Sequence, residues 1–312
     1  MKIVFMGTPD FAVDTLKACI EHHEVVGVFT QPDKPKGRGN KMTPPPIKIL
    51  AEQYQIPVYQ PIIVKSGEWV NQIRLLNPDA IVVVAYGQLL SQEILDIPKF
   101  GCVNVHASLL PKLRGAAPIN WAIAQGYAKS GITTMLMNAG LDTGDMLLKK
   151  EVVISEDMTA ETLHDALAQM GPKLLMETLS GLEAGIITPE KQDDSEATYA
   201  PLMSKETSKI DWYQSSREIV NRIRGFNPWP VAHTQMLGQA LKVFKAQLAE
   251  APPADSISVV PGTVVDVDKN GIYVKTGNGV LRIDELQWGS SKRMMTSAFL
   301  LGKTIDIGTV LS

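Results

Sequence analysis

Hydrophobic and polar positions in the first half of the chain follow two alternating patterns. Short runs of apolar and β-branched residues predict strands, and the segments between them repeat apolar residues at helical spacing. The predicted strands are Lys2–Met6, Val25–Thr30, Val58–Tyr59, Ala80–Ala85 and Cys102–His106. The predicted helices are Asp10–Ile20, Ile47–Gln53, Trp69–Leu76, Gln92–Ile97 and one that begins over Asn120–Ala124. This alternation predicts a Rossmann-like, doubly wound α/β domain.

The pattern changes towards the end of this domain. Two further strands, Thr133–Asn138 and Asp145–Val153, and a long helix over Ala160–Leu179 are predicted to complete it. Glu190–Pro201 is polar, has no period and lies between two prolines, which predicts a linker. Beyond the linker, short strands are predicted within 235–248 and at Thr263–Val267, Ile272–Thr276, Val280–Leu286 and Gly308–Leu311. Short strands at this spacing predict a small, OB-like β-barrel.

Three segments follow from these patterns. The Rossmann-like domain is predicted at 1–189, the linker at 190–203 and the barrel domain at 204–312. Within the barrel domain, the Asn-Gly step of Asp268–Gly271 predicts a tight hairpin.

Composition limits the class of protein. The 312 residues are 45% hydrophobic and 20% charged, which is typical of a globular chain of about two domains. A net charge of −3 excludes a histone-like protein but allows a local basic patch. Two distant cysteines, Cys19 and Cys102, exclude a disulfide scaffold and a zinc site built on thiolates. With no secretory pattern and no apolar run near the ~18 residues of a membrane span, we expect a cytoplasmic protein.

One stretch, 30–50, is unusually basic. It combines a single acid, Asp33, with five basic residues, Lys34, Lys36, Arg38, Lys41 and Lys48. Its five prolines and two glycines predict no regular helix or strand before Ile47. Both a solvated surface loop and a flexible loop that binds nucleic acid fit this pattern.

The first turn between strand and helix, Gly7–Ala12 (GTPDFA), differs from a dinucleotide-binding turn. The GxGxxG fingerprint lets the backbone approach a pyrophosphate, and here Pro9 and Ala12 replace its second and third glycines. A nucleotide-dependent oxidoreductase is therefore disfavoured.

Asn104 and His106 end the fifth predicted strand. Because they are two residues apart, their side chains point to the same side, at the edge of the sheet where α/β proteins bind ligands. An amide donor beside an imidazole can stabilise an oxyanion and transfer a proton. The same pair can also serve only to satisfy loop backbone groups.

Asp142 lies in a turn, Leu141–Asp145, that is rich in hydrogen-bonding residues. It is either an ordinary Asx-turn residue or a carboxylate that orients His106. The spacing of 36 residues between His106 and Asp142 does not by itself bring them together.

The segment Asn104–Pro111 (NVHASLLP), followed by Arg114-Gly115 and Leu141–Gly144 (LDTG), resembles the 10-formyltetrahydrofolate-dependent formyltransferases. The resemblance implies that Asn104, His106 and Asp142 form the formyl-transfer site. It also implies folate-binding residues in two segments, which are Ser108, Leu109, Leu110 and Pro111, and Tyr86, Gly87, Gln88 and Leu89. The folate is then a consumed co-substrate, and no metal is implied.

Further segments, Lys2–Phe11, 31–39, 209–212 and 224–230, are similar to the family members that act on methionyl-initiator tRNA. The resemblance therefore covers nearly the whole chain and implies a monomeric enzyme of translation initiation. It implies that the basic stretch contacts the tRNA acceptor stem through Arg38, with Lys36 and Lys41 as further candidates.

Alternatives remain for the acceptor and for catalysis itself. A formyltransferase that acts on a small amine, such as an amino sugar or a purine precursor, would share the same trio of residues. An RNA-binding protein without catalysis is the alternative from another class. Arg217, Arg222 and Arg224 are either contacts for tRNA phosphates or ordinary helix charges.

Overall fold

The computed structural model describes residues 1–36, 41–249 and 259–312. The strands are β1 (Lys2–Gly7), β2 (Glu24–Phe29), β3 (Lys34–Lys36), β4 (Lys41–Thr43), β5 (Val58–Tyr59), β6 (Ala80–Val84), β7 (Cys102–His106), β8 (Lys129–Leu136), β9 (Met146–Val153), β10 (Ala232–Met236), β11 (Gln239–Leu248), β12 (Val264–Val267), β13 (Ile272–Lys275), β14 (Val280–Trp288) and β15 (Met294–Met295). The helices are α1 (Val13–His22), α2 (Pro46–Gln53), α3 (Gly67–Leu76), α4 (Gln92–Leu95), α5 (Pro118–Ala124), α6 (Ala160–Glu183), α7 (Ser216–Gly225) and α8 (Thr296–Leu300). No helix in these ranges is both long and apolar enough to cross a bilayer.

The described residues form two compact units. The first contains Met1–Pro118, Lys129–Val153 and His164–Ala200, and the second contains Ile119–Ala128, Ile154–Leu163 and Pro201–Ser312. Two short segments that the sequence pattern assigns to the first domain are thus grouped with the second unit.

The first unit is built on a twisted α/β sheet, as predicted. Its strand order over the described residues is β5-β2-β1-β6-β7-β8-β9. The strands from β5 to β7 are parallel, and β8 and β9 extend the sheet in antiparallel pairs. Every residue of β6 and β7 is buried, as expected of central strands covered on both faces. The chain order reverses between β1 and β6, and the carboxyl edge at such a point is where doubly wound sheets bind ligands.

The basic stretch contains regular structure that the sequence analysis did not predict. β3 and β4 pair as a short antiparallel hairpin, with Lys34 opposite Thr43 and Lys36 opposite Lys41. The expectation of no strand before Ile47 is therefore wrong. Pro35 lies in a sheet that has two strands over the described residues, which is an edge position where a proline is tolerated.

The second unit is an antiparallel sheet in the order β10-β11-β14-β13-β12, with β15 beside β14. Its inner face buries an apolar core that includes Trp212, Val243, Leu281 and Phe299. The sheet is therefore the predicted small β domain.

Residues 309–312 join the two edges of this sheet. On one side, Val264 N donates to Thr309 O and Leu311 N donates to Gly262 O. On the other side, Gln235 and Ser312 exchange a pair of backbone hydrogen bonds. The sheet thus closes into a barrel, although the predicted strand at Gly308–Leu311 is an isolated bridge to Thr263 rather than a full strand.

We expect Leu311→Ala to lower the free energy of unfolding of the second unit by ~2–5 kcal/mol, because Leu311 is buried in the core at the closure. Val310→Ala is the matched control, since Val310 is exposed and its loss should change stability by less than about 0.5 kcal/mol. Urea denaturation followed by tryptophan fluorescence measures both variants. The second unit holds four of the five tryptophans, which are Trp121, Trp212, Trp229 and Trp288. Equal changes in the free energy of unfolding for the two variants would contradict the burial of Leu311 in the closed barrel.

Candidate active site

Strand β7 places Asn104 and His106 at the carboxyl edge of the sheet. Asn104 lies between Val83 of β6 and Met135 of β8, and His106 lies opposite Thr133. Because side chains alternate along a strand, the amide and the imidazole share one face. Both are nearly buried, with 8% and 6% of their surface exposed.

The loop after β7 returns to His106. Leu110 N donates to Thr133 Oγ1, and Thr133 Oγ1 donates to Ser108 O, which ties the loop to β8. Further along, the carbonyl of Leu113 lies 3.0 Å from His106 Nε2. Since a carbonyl oxygen only accepts, Nε2 carries a proton. The nitrogen of His106 that remains for chemistry is Nδ1.

Asp142 joins Asn104 and His106 despite its distance along the chain. Its Oδ2 accepts a 2.8 Å hydrogen bond from Gly115 N. Its Oδ1 lies 3.5 Å from Asn104 Nδ2, which donates to it, and 3.8 Å from His106 Nδ1. The three side chains that the sequence resemblance singled out therefore converge around one carboxylate oxygen.

The two predicted folate segments follow neighbouring strands. Residues 108–111 come after β7 and residues 86–89 come after β6, so both leave the same edge of the sheet. Ser108 and Leu110 are buried, and Ser108 Oγ donates to Lys112 O. Leu109 and Pro111 are half-buried.

Within 86–89, each residue has a different environment. The ring of Tyr86 is 1% exposed and packs in the core, and burial raises the pKa of its phenol. Gly87 has a φ of 84°, a conformation that favours glycine. Gln88 accepts from Val64 N and donates to Pro61 O, whereas Leu89 is 64% exposed. Leu89 is therefore the side chain of this segment that is open to a ligand.

The residues predicted as a linker include contacts with the site that the sequence analysis missed. We call residues 190–200 the connecting segment. Glu190 and Met146 exchange two backbone hydrogen bonds, and Arg114 N donates to Thr198 O. Leu113 N donates to Thr198 Oγ1 over 2.8 Å. The connecting segment thus binds both loops that position His106 and Asp142. No periodic or apolar signal marks it, because its contacts are made by backbone and polar side chains.

The predicted tRNA contacts are only partly described. Lys36 and Lys41 face each other in the register of the β3–β4 hairpin, and Arg38 lies outside the described residues. Lys48 donates to both carboxylate oxygens of Asp33 at 3.1 Å. A hydrogen bond from Gln60, together with Lys48, lowers the pKa of Asp33.

The three arginines of α7 have partners within the second unit. Arg217 forms an ion pair with Glu156 at 3.0 Å. Arg222 donates to Thr207 O, and Arg224 donates to the carbonyls of Ser155 and Met158. Burial lowers the pKa of both Arg222 and Arg224. These contacts give Arg222 and Arg224 structural roles.

Comparison with known proteins matches most of this chain to formyl transferases. The family model described as formyl transferase matches residues 1–179, and the model of the formyl transferase C-terminal domain matches residues 202–304. A methionyl-tRNA formyltransferase of Clostridium perfringens is 51% identical over 312 residues, which is 100% of both chains.

Two solved structures share the fold at 18% identity. WlaRD, a sugar 3N-formyl transferase solved with dTDP and 5-N-formyl-THF, has a TM-score of 0.65 over 94% of this chain and 99% of its own. HypX from Aquifex aeolicus, in complex with tetrahydrofolic acid, has a TM-score of 0.60 over 99% of this chain and 50% of its own.

Neither cysteine lies among these site residues, and both are buried. Burial raises the pKa of the Cys19 thiol and raises that of Cys102 to about 12. Because the thiolate is the reactive form, neither group is a nucleophile near neutral pH. Among the described residues, no cluster of three or more His, Cys, Asp or Glu side chains has the arrangement of a metal site.

We expect the folded protein to resist thiol reagents at pH 8, since both thiols are buried and protonated there. A dithionitrobenzoate titration should find no rapidly reacting thiol in native protein. The same titration in guanidinium chloride should find two, which is the control for intact thiols. Rapid reaction of either cysteine in the native state would contradict this assignment.

Proposed function

Because the chain belongs to the formyl transferase family, matched in both its N-terminal and C-terminal parts, we propose that it formylates methionyl-initiator tRNA. The formyl group comes from 10-formyltetrahydrofolate, and the acceptor is the α-amino group of the methionine. The product is N-formylmethionyl-tRNA, the substrate of translation initiation, so we expect the protein to act in the cytoplasm. We also expect it to act as a monomer. The convergence of Asn104 and His106 on the Asp142 carboxylate is the observation that supports catalysis at this site.

The chemistry needs stabilisation of a developing oxyanion. The amine attacks the formyl carbon, and the carbonyl oxygen becomes negative in the tetrahedral species. Asn104 Nδ2 is one N–H donor for that oxygen. His106 provides the second from Nδ1 when its ring carries a proton on both nitrogens, because Nε2–H is already bonded to Leu113 O. Removing one such donor costs ~10²–10³ in rate, or about 2.7–4 kcal/mol of barrier.

A proton must leave the amine as the new C–N bond forms, and N10 of the folate must gain one as the old C–N bond breaks. Asp142 is the group that accepts the amine proton, through a water, while Gly115 N–H holds its other oxygen. The same proton then passes to N10 through the water, so that Asp142 ends the step ionised. The carboxylate also orients the His106 ring, because its Oδ1 lies 3.8 Å from Nδ1. No covalent intermediate on the enzyme is required, in keeping with two buried thiols.

The basic stretch and the second unit support a tRNA acceptor. A small amine requires neither a lysine-rich hairpin nor a separate barrel, whereas the phosphate backbone of tRNA is bound by basic groups. Leu89 and the segment 108–111 are the proposed folate contacts, since both follow the strands that end beside the trio.

We expect Asn104→Ala and His106→Ala each to lower kcat for tRNA formylation by ~10²–10³, with KM little changed, because each removes an oxyanion donor. His22→Ala on the exposed surface of α1 is the matched control and should retain full activity. Steady-state formylation of methionyl-initiator tRNA measures all three variants.

The same assay with an amino sugar and with glycinamide ribonucleotide distinguishes the alternatives. Transfer to the tRNA alone is the expected result. Transfer only to a small amine would retain the catalytic trio but contradict the tRNA acceptor. Full activity in both alanine variants would contradict the site, and no transfer to any acceptor would favour a binding protein without catalysis.

We expect Arg38→Ala and Lys41→Ala each to raise KM for the tRNA by about tenfold, or ~1.4 kcal/mol, without changing KM for the folate. If each cation contacts a phosphate, each loss should also reduce the slope of log affinity against log salt by about one. Lys173→Ala, an exposed lysine on α6, removes the same charge and should alter neither quantity. Equal effects of all three variants would indicate only a general influence of net charge.

A further inference from the structure

Gln192 lies within the connecting segment, and its side chain reaches the loop that contains Asp142. Its Nε2 donates to two carbonyls, those of Asp142 and Gly144, each over 2.8 Å. Both hydrogens of one amide are thus used to hold two nearby peptide groups of the same turn. Asp142 itself has a φ of 52°, a left-handed conformation that a non-glycine residue adopts at a cost. The two hydrogen bonds from Gln192 help to hold it there.

Arg114 determines which way the Gln192 amide points. Arg114 Nε donates to Gln192 Oε1 over 3.0 Å, so the oxygen faces the guanidinium and the nitrogen faces the two carbonyls. Arg114 is 2% exposed, and its Nη2 donates to Asp194 Oδ1 at 2.7 Å. A guanidinium has no acceptor and fixed N–H directions, so it leaves the amide a single orientation.

These contacts form a closed ring with Asp142. From the Arg114 side chain the ring runs through Gln192 to the Asp142 main chain, and then through the Asp142 carboxylate to Gly115 N. Gly115 follows Arg114 in the chain, which completes the ring. Loss of the Gln192 contacts therefore releases the main chain of the Asp142 turn and leaves the hydrogen bonds from Gly115 N and Asn104 Nδ2 to the Asp142 carboxylate.

We propose that Gln192 is a positioning residue for formyl transfer, which holds Asp142 at the distance from Asn104 and His106 that the reaction needs. This role rests on the proposed function. It acts through Asp142, since the contacts of the Gln192 side chain are with Asp142, Gly144 and Arg114. A misplacement of about 1 Å at a reacting group costs on the order of 10²-fold in rate.

Gln192→Glu tests the donors specifically, because a carboxylate keeps the size and the acceptor for Arg114 but presents no N–H to the two carbonyls. We expect kcat for formyl transfer to fall ~10–100-fold with KM for both substrates unchanged, and the pH profile of kcat to shift. Lys191→Gln makes the same change in net charge at the neighbouring exposed position and should retain wild-type kinetics. Gln192→Met, which is uncharged and of similar shape, should reproduce the loss if Gln192→Glu folds poorly.

A double-mutant cycle separates positioning from a general loss of structure. If Gln192 acts through Asp142, the effects of Gln192→Glu and Asp142→Asn on single-turnover rate will not multiply. Fully multiplicative effects, or a kcat within twofold of wild type in both Gln192 variants, would overturn the proposal.

Amide exchange provides a readout that does not depend on the activity. We expect the Gly115 N–H, which donates to Asp142 Oδ2, to exchange at least tenfold faster in Gln192→Glu than in the wild type or in Lys191→Gln. Unchanged exchange at Gly115 would overturn the positioning role. Absence of formyl transfer by the wild type would instead contradict the proposed function, so the two failures are distinguishable.

Discussion

The hydrogen bond from Gly115 N to Asp142 Oδ2 is the contact on which the geometry of the candidate site depends. A nearly buried carboxylate must be satisfied by donors, and this one is served by a backbone N–H on one oxygen and by Asn104 on the other. Gly115 is suited to this contact because its φ is 118° and an added Cβ would lie 2.8 Å from Ala200 O. The loop after β7 and the turn after β8 are thereby fixed to each other. His106, whose Nε2 proton is held by Leu113 in the same loop, then faces the carboxylate with Nδ1.

Much of the first unit could be predicted from the sequence because its strands are buried on both faces. β6 is a continuous apolar run, and β7 combines apolar residues with Asn104 and His106. Every residue of both strands is buried, as expected of central strands. The short β3–β4 hairpin could not be predicted in the same way. Its two strands pair through the backbone and are rich in lysine, so their side chains show no alternation of hydrophobic and polar residues. Pro35 also argues against a strand when only the composition is considered.

The catalytic trio illustrates a second limit. Asn104 and His106 could be placed on one side of a strand by their spacing, but Asp142 could be joined to them only through the family resemblance. The Gly115 contact that positions Asp142 is made by a backbone N–H, so the sequence of side chains does not predict it. The same holds for the connecting segment, where Thr198 and Gln192 bind loop backbone rather than apolar surface. The polarity of this segment and its lack of a hydrophobic period therefore indicated a linker, whereas in the structure the segment is hydrogen-bonded to the loops of the candidate site.

Because residues 309–312 close the barrel, the second unit cannot complete its folding until the last part of the chain has been synthesised. Gln235 pairs with Ser312 across 77 positions, so its backbone groups meet this partner only after residue 312 has left the ribosome. Every residue of the first unit has been synthesised by Ala200. Domains generally fold as units in the order in which they emerge, so the unit that holds Asp142 can fold while the barrel is still open. During that interval the backbone groups of Gln235 lack their partner, while His233 on the same edge of β10 is bridged to Lys209. An incompletely paired strand edge of this kind is a place where another chain can pair.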